Sequence, residues 1–420
     1  MNQYMKRVFV WVLAVVAGCA QAQQLTYHGF MSQVMERNHA LQSARHGMDA
    51  AEAECQASRK VANPVLSAEY GNNSDWNMLM GQSASVELSQ SISFVRTARI
   101  RGAQHGLEAA QAAFRHNLLQ LKAEAAQAYL TALLQRELTD IMRQTEQTLT
   151  ELLRADSIRL TRGDIAPVDL MQTRLETGMA RQEVRTAETD YRNALVQLDL
   201  MMGQPTRGTQ TVRGNLSLPQ VELELSVLMD SAKTRRADLA EARLLSLVAK
   251  DESMLLKRER IPEMEVALGA SYNTRVRNEE APAPEFMGYT IGLSIPLPVA
   301  NMNTGEIRAG QHRVAQTEED QRELEDQVVG EVITAYNNYQ SALSKARQFD
   351  AQFIDDARQV WEGRLYAYRR GESSLLEVIE AQRTYNDVRR AYAESLHECQ
   401  CALVDLKRVA ALDIDLEMGE

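Results

Sequence analysis

Four stretches of the chain alternate apolar and polar positions with period two, the pattern of a strand whose two faces meet different surroundings. In 83–94, Val86, Leu88, Ile92 and Phe94 share a face with Gln90, against Ser85, Glu87, Ser89, Ser91 and Ser93. In 287–297, Met287, Tyr289, Ile291, Leu293, Ile295 and Leu297 oppose Gly288, Thr290, Gly292 and Ser294. In 263–273, Met264, Val266, Leu268 and Tyr272 oppose Glu263, Glu265, Gly269, Ser271 and Asn273. The stretch 64–72 is weaker, and Glu69 fits it poorly. Each is about ten residues long, which is what a tilted strand needs to cross a hydrocarbon layer. An antiparallel sheet with one wet face would alternate in the same way.

Between these stretches Ala, Leu, Gln, Glu and Arg dominate, and they are good helix formers. They predict helices over 26–62, 97–160 and 167–202. The turn Arg162-Gly163-Asp164 separates the last two, with Gly ending one helix and Pro167 in the first turn of the next. A helix over 97–160 would run roughly 96 Å at about 1.5 Å per residue. The helices before the strands and after the turn, about 37 residues each, match most of that length end to end. Such lengths suit a coiled-coil wall better than a globular core.

The chain is written twice. Leu41, Ala44 and Arg45 recur as Leu239, Ala242 and Arg243, and Pro64 and Gly71 recur as Pro262 and Gly269. Leu88-Ser89 returns as Leu293-Ser294, Ile100-Arg101 as Ile307-Arg308, and His105 as His312. Ala128-Tyr129 pairs with Ala335-Tyr336, Arg162-Gly163 with Arg370-Gly371, and Ala194-Leu195 with Ala402-Leu403. One order and a slowly growing offset mark a duplication with small insertions. The expected organisation is an export signal over 1–22, a first repeat over 23–203, a linker over 204–220, a second repeat over 221–412 and a tail over 413–420. Each repeat runs helix, strand, strand, long helix, tight turn, helix.

The start, Met5-Lys6-Arg7 followed by an apolar run from Val8 to Gly18 and then Ala20-Gln21-Ala22, has the form of an export signal. Val16-Ala17-Gly18-Cys19 also reads as a lipobox. The seven residues from Cys19 to Thr26 reach only about 25 Å, against roughly 55 Å from Thr26 up to the strands, so cleavage after Ala22 is favoured over acylation. A net charge of −11 argues against nucleic acid and is compatible with cationic cargo. Cys55, Cys399 and Cys401 do not form a disulfide framework. The seven histidines show no ligand spacing, and His105 and His312 read as helix packing. Met78-Leu79-Met80 is a weak soft-metal candidate. No catalytic constellation, metal site or cofactor motif is read.

The repeat, the strand pairs and the two tips, 162–170 and 368–378, resemble the TolC-like outer membrane efflux protein family over the mature chain. The compact length looks closest to its heavy-metal and cation exporters. The fold class is mainly α with a small β part: long coiled-coil hairpins plus four strands. The resemblance implies a homotrimer whose strands make a twelve-stranded barrel in outer membrane lipid. It implies a helical tunnel through the periplasm and tips docked on a periplasmic adaptor that links to an inner membrane pump. A protein-secretion exit duct is the runner-up, and a soluble periplasmic coiled-coil protein is the alternative from another class.

By the same resemblance, Glu377 and Glu380 follow Gly371 at the spacing of the family's acidic pore constriction, with Glu where Asp is common. Tyr368 matches a gating tyrosine that bonds between helices. The arginine expected after the tip glycine is replaced by Ser373. Three copies of each carboxylate would repel one another and raise their pKa values. The plainer reading of both acids is favourable charge near a helix N-terminus. Arg162, Gly163, Asp164, Asp169, Arg370, Gly371 and Glu372 are expected on the adaptor-docking tips, and Glu87, Glu263 and Glu265 in the barrel lumen.

Overall fold

The computed structural model describes residues 24–72, 80–205, 210–221, 223–261, 263–297, 302–349 and 351–416. The export signal with Cys19, the Met78-Leu79 pair and the end of the tail lie outside the described residues. In chain order the elements are β1 Gln24–Leu25, α1 Tyr27–Arg37, α2 His39–Ser58, β2 Val65–Gly71, β3 Ser83–Ile92, α3 Arg96–Arg162, α4 Pro167–Met201, β4 Thr211–Val212, α5 Leu225–Arg235, α6 Ala237–Arg258, β5 Met264–Asn273, β6 Phe286–Ser294, α7 Thr304–Gln348, α8 Ala351–Arg369 and α9 Leu375–Val409. Among the described residues no helix is long and apolar enough to cross a membrane.

The chain divides into two compact units, one built from the described residues up to Ala44 with 115–236 and from Gln327 onward, the other from 45–114 and 237–326. The second unit holds a sheet in the order β2-β3-β5-β6, antiparallel throughout. Its register places Leu66, Leu88, Leu268 and Ile291 in one cross-strand row and Val86, Ala270 and Tyr289 in the next. Side chains alternate across a pleated strand, so this row fixes a continuous apolar face. That face is unusually bare, with Ile291 83% and Tyr289 81% exposed.

In the first unit, β1 pairs in parallel with β4, so the segment expected to be a plain linker contributes a strand. Tyr129 is fully buried there, its hydroxyl 2.7 Å from the Leu25 carbonyl and 2.6 Å from that of Arg213. Phe30 stacks on the ring and Tyr27 meets its edge. Burial pushes the Tyr129 phenol up to about 12.

The helix expected over 26–62 is two helices, broken at Asn38, whose extended backbone (φ −61°, ψ 124°) ends α1. Its side chain then caps α2, Oδ1 accepting from Leu41 N at 3.1 Å. Residues 97–160 fall within the continuous 67-residue α3. Its counterpart in the second repeat is divided into α7 and α8, although neither Gly nor Pro occurs between Ala346 and Phe353. Phe349 packs there against Phe353 and Tyr392.

Candidate functional site: two helical turns and a two-faced sheet

The turns that join α3 to α4 and α8 to α9 are built alike. Gly163 N donates to Leu160 O at 3.0 Å and Asp164 N to Arg159 O at 2.9 Å; Gly371 N donates to Tyr368 O at 3.0 Å and Glu372 N to Ala367 O at 2.9 Å. Both glycines are left-handed, at φ +79° and +81°. This is a Schellman ending, which needs a residue without a Cβ penalty at that point. The next helices start differently. Asp169 accepts from Ala166 N at 3.3 Å behind Pro167, whereas Ser374 Oγ accepts from Glu377 N at 3.3 Å.

Beneath the turns the four helices share a core of Leu149, Leu152, Ala180, Tyr368, Leu375, Val378 and Ile379. A carboxylate lies within it. Asp156 is fully buried; Tyr368 Oη donates to its Oδ1 at 2.9 Å and Thr173 Oγ1 to its Oδ2 at 2.7 Å. Arg159 completes the group, 3.9 Å from Asp156 Oδ1 and stacked over the Tyr368 ring at 4.7 Å. Buried charge persists only when paired and hydrogen-bonded, and these partners meet that condition. Burial, and then the Asp156 carboxylate it bonds, push the Tyr368 phenol well above its ordinary range.

Tyr368 bonds between helices, and its acceptor lies on α3 of the same chain. Asp156, Arg159 and Thr173 escaped the sequence reading. The available signal was spacing: Asp156 follows Leu149 and Leu152 at i+7 and i+4, so a carboxylate occupies the apolar seam of α3.

Glu377 is a partly exposed residue engaged within its own chain, Oε2 accepting from Ser373 Oγ and Arg364 Nη1, both at 2.7 Å. The Ser373 hydrogen bond, and then the Arg364 charge, hold its carboxyl below the usual carboxylate range. Within one chain this is opposite in direction to the mutual repulsion expected of pooled copies. Ser373, which stands where the family resemblance expects arginine, therefore binds Glu377. Glu380 is exposed one turn later, and Arg383 of the same helix makes a two-point contact with Glu176 of α4 at 2.9 and 3.0 Å. At the tips, Arg162, Gly163 and Asp164 are exposed, and Arg370 pairs with Glu372 at 3.0 Å while covering the exposed Tyr366 ring.

On the sheet, the face opposite the apolar rows carries Ser67, Glu69, Ser85, Glu87, Ser89, Ser91, Glu265 and Ser271. Glu69, which fitted its strand poorly, lies opposite Ser85 on this face, one register step from Glu87. Glu263 precedes β5 and accepts from Ser91 Oγ at 3.3 Å.

His105 packs, its Nδ1 2.7 Å from the buried Asp251 of α6, whereas His312, expected to pack in the same way, is exposed. Among the described residues Cys55, Cys399 and Cys401 are free, with burial pushing the Cys399 thiol up to about 11 and that of Cys401 to about 12. Among the described residues no group of three or more His, Cys, Asp or Glu is placed to hold a metal ion.

A bare-faced antiparallel sheet, very long helices and paired helical turns define the class of outer membrane ducts. The chain belongs to the outer membrane efflux protein family, whose pattern it matches over residues 30–204 and 228–411. It is 24% identical over 399 residues to the cobalt-zinc-cadmium resistance protein CzcC of Cupriavidus metallidurans, covering 92% of this chain and 90% of that one. It is also 24% identical over 298 residues to the pyoverdine export outer membrane protein OpmQ of Pseudomonas aeruginosa, covering 69% of this chain and 60% of that protein. Its fold matches the CusC channel with a TM-score of 0.73 at 17% identity, over 91% of each chain. VceC of Vibrio cholerae matches at 0.72 and 14%, over 91% of this chain and 95% of the other. The protein is an outer membrane efflux channel with a periplasmic extension. It belongs with proteins that conduct, and no catalytic role is assigned to any residue.

Proposed function

We propose that three copies pool their strands into one closed barrel and serve as the exit duct of a tripartite exporter of metal cations. The observation that carries this reading is the four-stranded sheet with a bare apolar face and two open edges, β2 and β6. Unpaired strand edges are not tolerated in hydrocarbon, and four strands are too few to close. Pooling satisfies both conditions, whereas a water-soluble coiled-coil protein has no use for so much exposed apolar surface. The carboxylates Glu69, Glu87, Glu263 and Glu265 then line the barrel, a bias toward cations. The acids at Glu377 and Glu380 supply a second bias at the far constriction.

The turns 162–164 and 370–372, with Asp169, offer two similar knobs for a periplasmic adaptor, through which an inner membrane pump delivers cargo. The likeness to CzcC, a cobalt-zinc-cadmium resistance protein, favours divalent cations over a protein substrate. The bond between Tyr368 and Asp156 is read as a latch between inner and outer helices. The test is cross-linking and mass measurement in detergent, followed by planar-bilayer recording. A trimer with cation-selective conductance is the expected result. A monomer soluble without detergent would remove the proposal.

A further inference from the structure

We propose that the helix-side end of the sheet is a basic collar that binds anionic phospholipid headgroups; the inference rests on the membrane-barrel reading and adds its lipid chemistry. The register brings the start of β2, the end of β3, the start of β5 and the end of β6 to one end of the sheet, with Val65 opposite Ser89, Ile92 opposite Met264 and Ser294 opposite Glu265. Immediately beyond these ends stand Arg59, Lys60, Arg96, Arg99, Lys257, Arg258, Arg260 and Arg308. The same segments carry three carboxylates, Glu259, Glu263 and Glu306. The collar is therefore strongly positive in a chain whose net charge is −11.

Two hydrogen bonds tie the segments together. Arg96 Nη2 donates to Arg59 O at 2.6 Å, and Arg260 Nε to Met302 O at 3.0 Å. Seven of the eight cations are exposed and Arg258 is partly so. None of the eight forms an ion pair with a described residue, whereas many cations elsewhere in the chain do. Exposed apolar side chains are interleaved with them: Val61, Phe94, Ile261, Ile295, Leu297 and Met302. At the other end of the sheet Arg275 and Arg277 share their segment with Glu279, Glu280 and Glu285, so the positive excess belongs to one rim.

Apolar groups beside unpaired guanidinium and ammonium groups, at the edge of a lipid-facing surface, fit the boundary between acyl chains and phosphates. Long basic side chains reach outward there while their stems stay in the apolar layer. Each basic residue near an anionic surface favours binding roughly fivefold. A bidentate arginine also suits phosphate geometry.

The full chain in detergent is equilibrated with an equal mixture of phosphatidylcholine and phosphatidylglycerol, re-isolated, and its retained lipid measured. The expected result is enrichment of the anionic lipid by at least about threefold. Enrichment should fall to near the mixture ratio in the fourfold variant R59Q/K60Q/R96Q/R260Q and persist in R275Q/R277Q. Salt at about 0.5 M should weaken it in the unmodified protein, which needs no variant to fold. Millimolar inorganic phosphate should leave it in place, separating a lipid surface from a free-anion site. No enrichment, enrichment indifferent to salt, or equal enrichment in the fourfold variant overturns the collar. A chain that retains neither lipid and stays in solution without detergent instead overturns the barrel reading.

Discussion

Asn38 and Arg236, 198 positions apart, break their helices with the same extended backbone and donate to the last turn of the closing helix of their own repeat. Asn38 Nδ2 reaches Met201 O at 2.9 Å, and Arg236 Nη1 reaches Val409 O at 3.4 Å. The duplication has preserved the job while the side chain changed. Arg236 is buried and also meets Glu331 at 2.6 Å, so in the second repeat the anchor is an ion pair.

Removing either function of Asn38 should therefore show separately. Asn38→Ala loses the donor to Met201 O and the cap to Leu41 N and should destabilise by about 1–3 kcal/mol. Asn38→Asp keeps an acceptor for Leu41 N and loses only the donor, so its loss should be smaller. Denaturant unfolding in detergent reads both. Equal losses would mean that the cap contributes nothing.

The closing turns give a second contrast. Gly203 has φ +62°, and a Cβ there would lie 2.6 Å from the Arg37 carbonyl oxygen. Gly163 has φ +79° with nothing within 4 Å of the added atom. Gly163→Ala should cost only the left-handed conformation, about 1–2 kcal/mol. Gly203→Ala adds a backbone clash and should cost more, on the order of 3 kcal/mol. Thermal midpoints of the two variants, compared side by side, decide it.

Much of this was legible because it is periodic. The strand alternation, the duplication and the two Gly turns follow from side-chain direction and from φ, which local sequence controls. The break at Asn38 was hidden because neither Gly nor Pro marks it; a side chain reaching Met201 from 163 positions away makes it. Asp156 and Thr173 were missed because their meaning is a contact across helices. Glu377 lies in the first turn after its glycine, and its pairing with Arg364 depends on the preceding helix. Glu69 fits its strand pattern poorly because β2 is short, and only the register with Ser85 fixes its face.

Alkaline pH should weaken the first unit. The Tyr129 phenol is raised to about 12 from an ordinary 10. A group whose folded pKa exceeds its unfolded value contributes fully below the unfolded pKa and ceases to contribute as pH rises through the folded one. Stability should be flat to about pH 9 and then fall by roughly 2 kcal/mol between pH 10 and 12 from this residue. Tyr129→Phe should be less stable at neutral pH and show a shallower alkaline decline. An unchanged slope in that variant would assign the decline to other groups.

Glu377 and Glu380 differ in how much of their charge a passing cation would meet, and that difference yields the sharpest test of the proposed constriction. Glu377 is committed to Ser373 and Arg364, which lower its pKa and offset its field. Glu380 is exposed, with no such partner among the described residues. Reversal potentials in planar bilayers should thus show Glu380→Gln reducing cation preference more than Glu377→Gln, with the double variant lowest. Arg364→Gln should raise the preference by releasing Glu377, an effect that a purely structural role for the arginine would not give. Because the Glu377 carboxyl sits below the usual range, it stays charged as pH falls through the window where ordinary glutamates titrate, near 4.3. The selectivity of Glu380→Gln channels, which rests on Glu377, should therefore persist below about pH 4.3. Cation preference left unchanged in the double variant would place the controlling charge elsewhere, for example on the sheet carboxylates Glu87, Glu263 and Glu265.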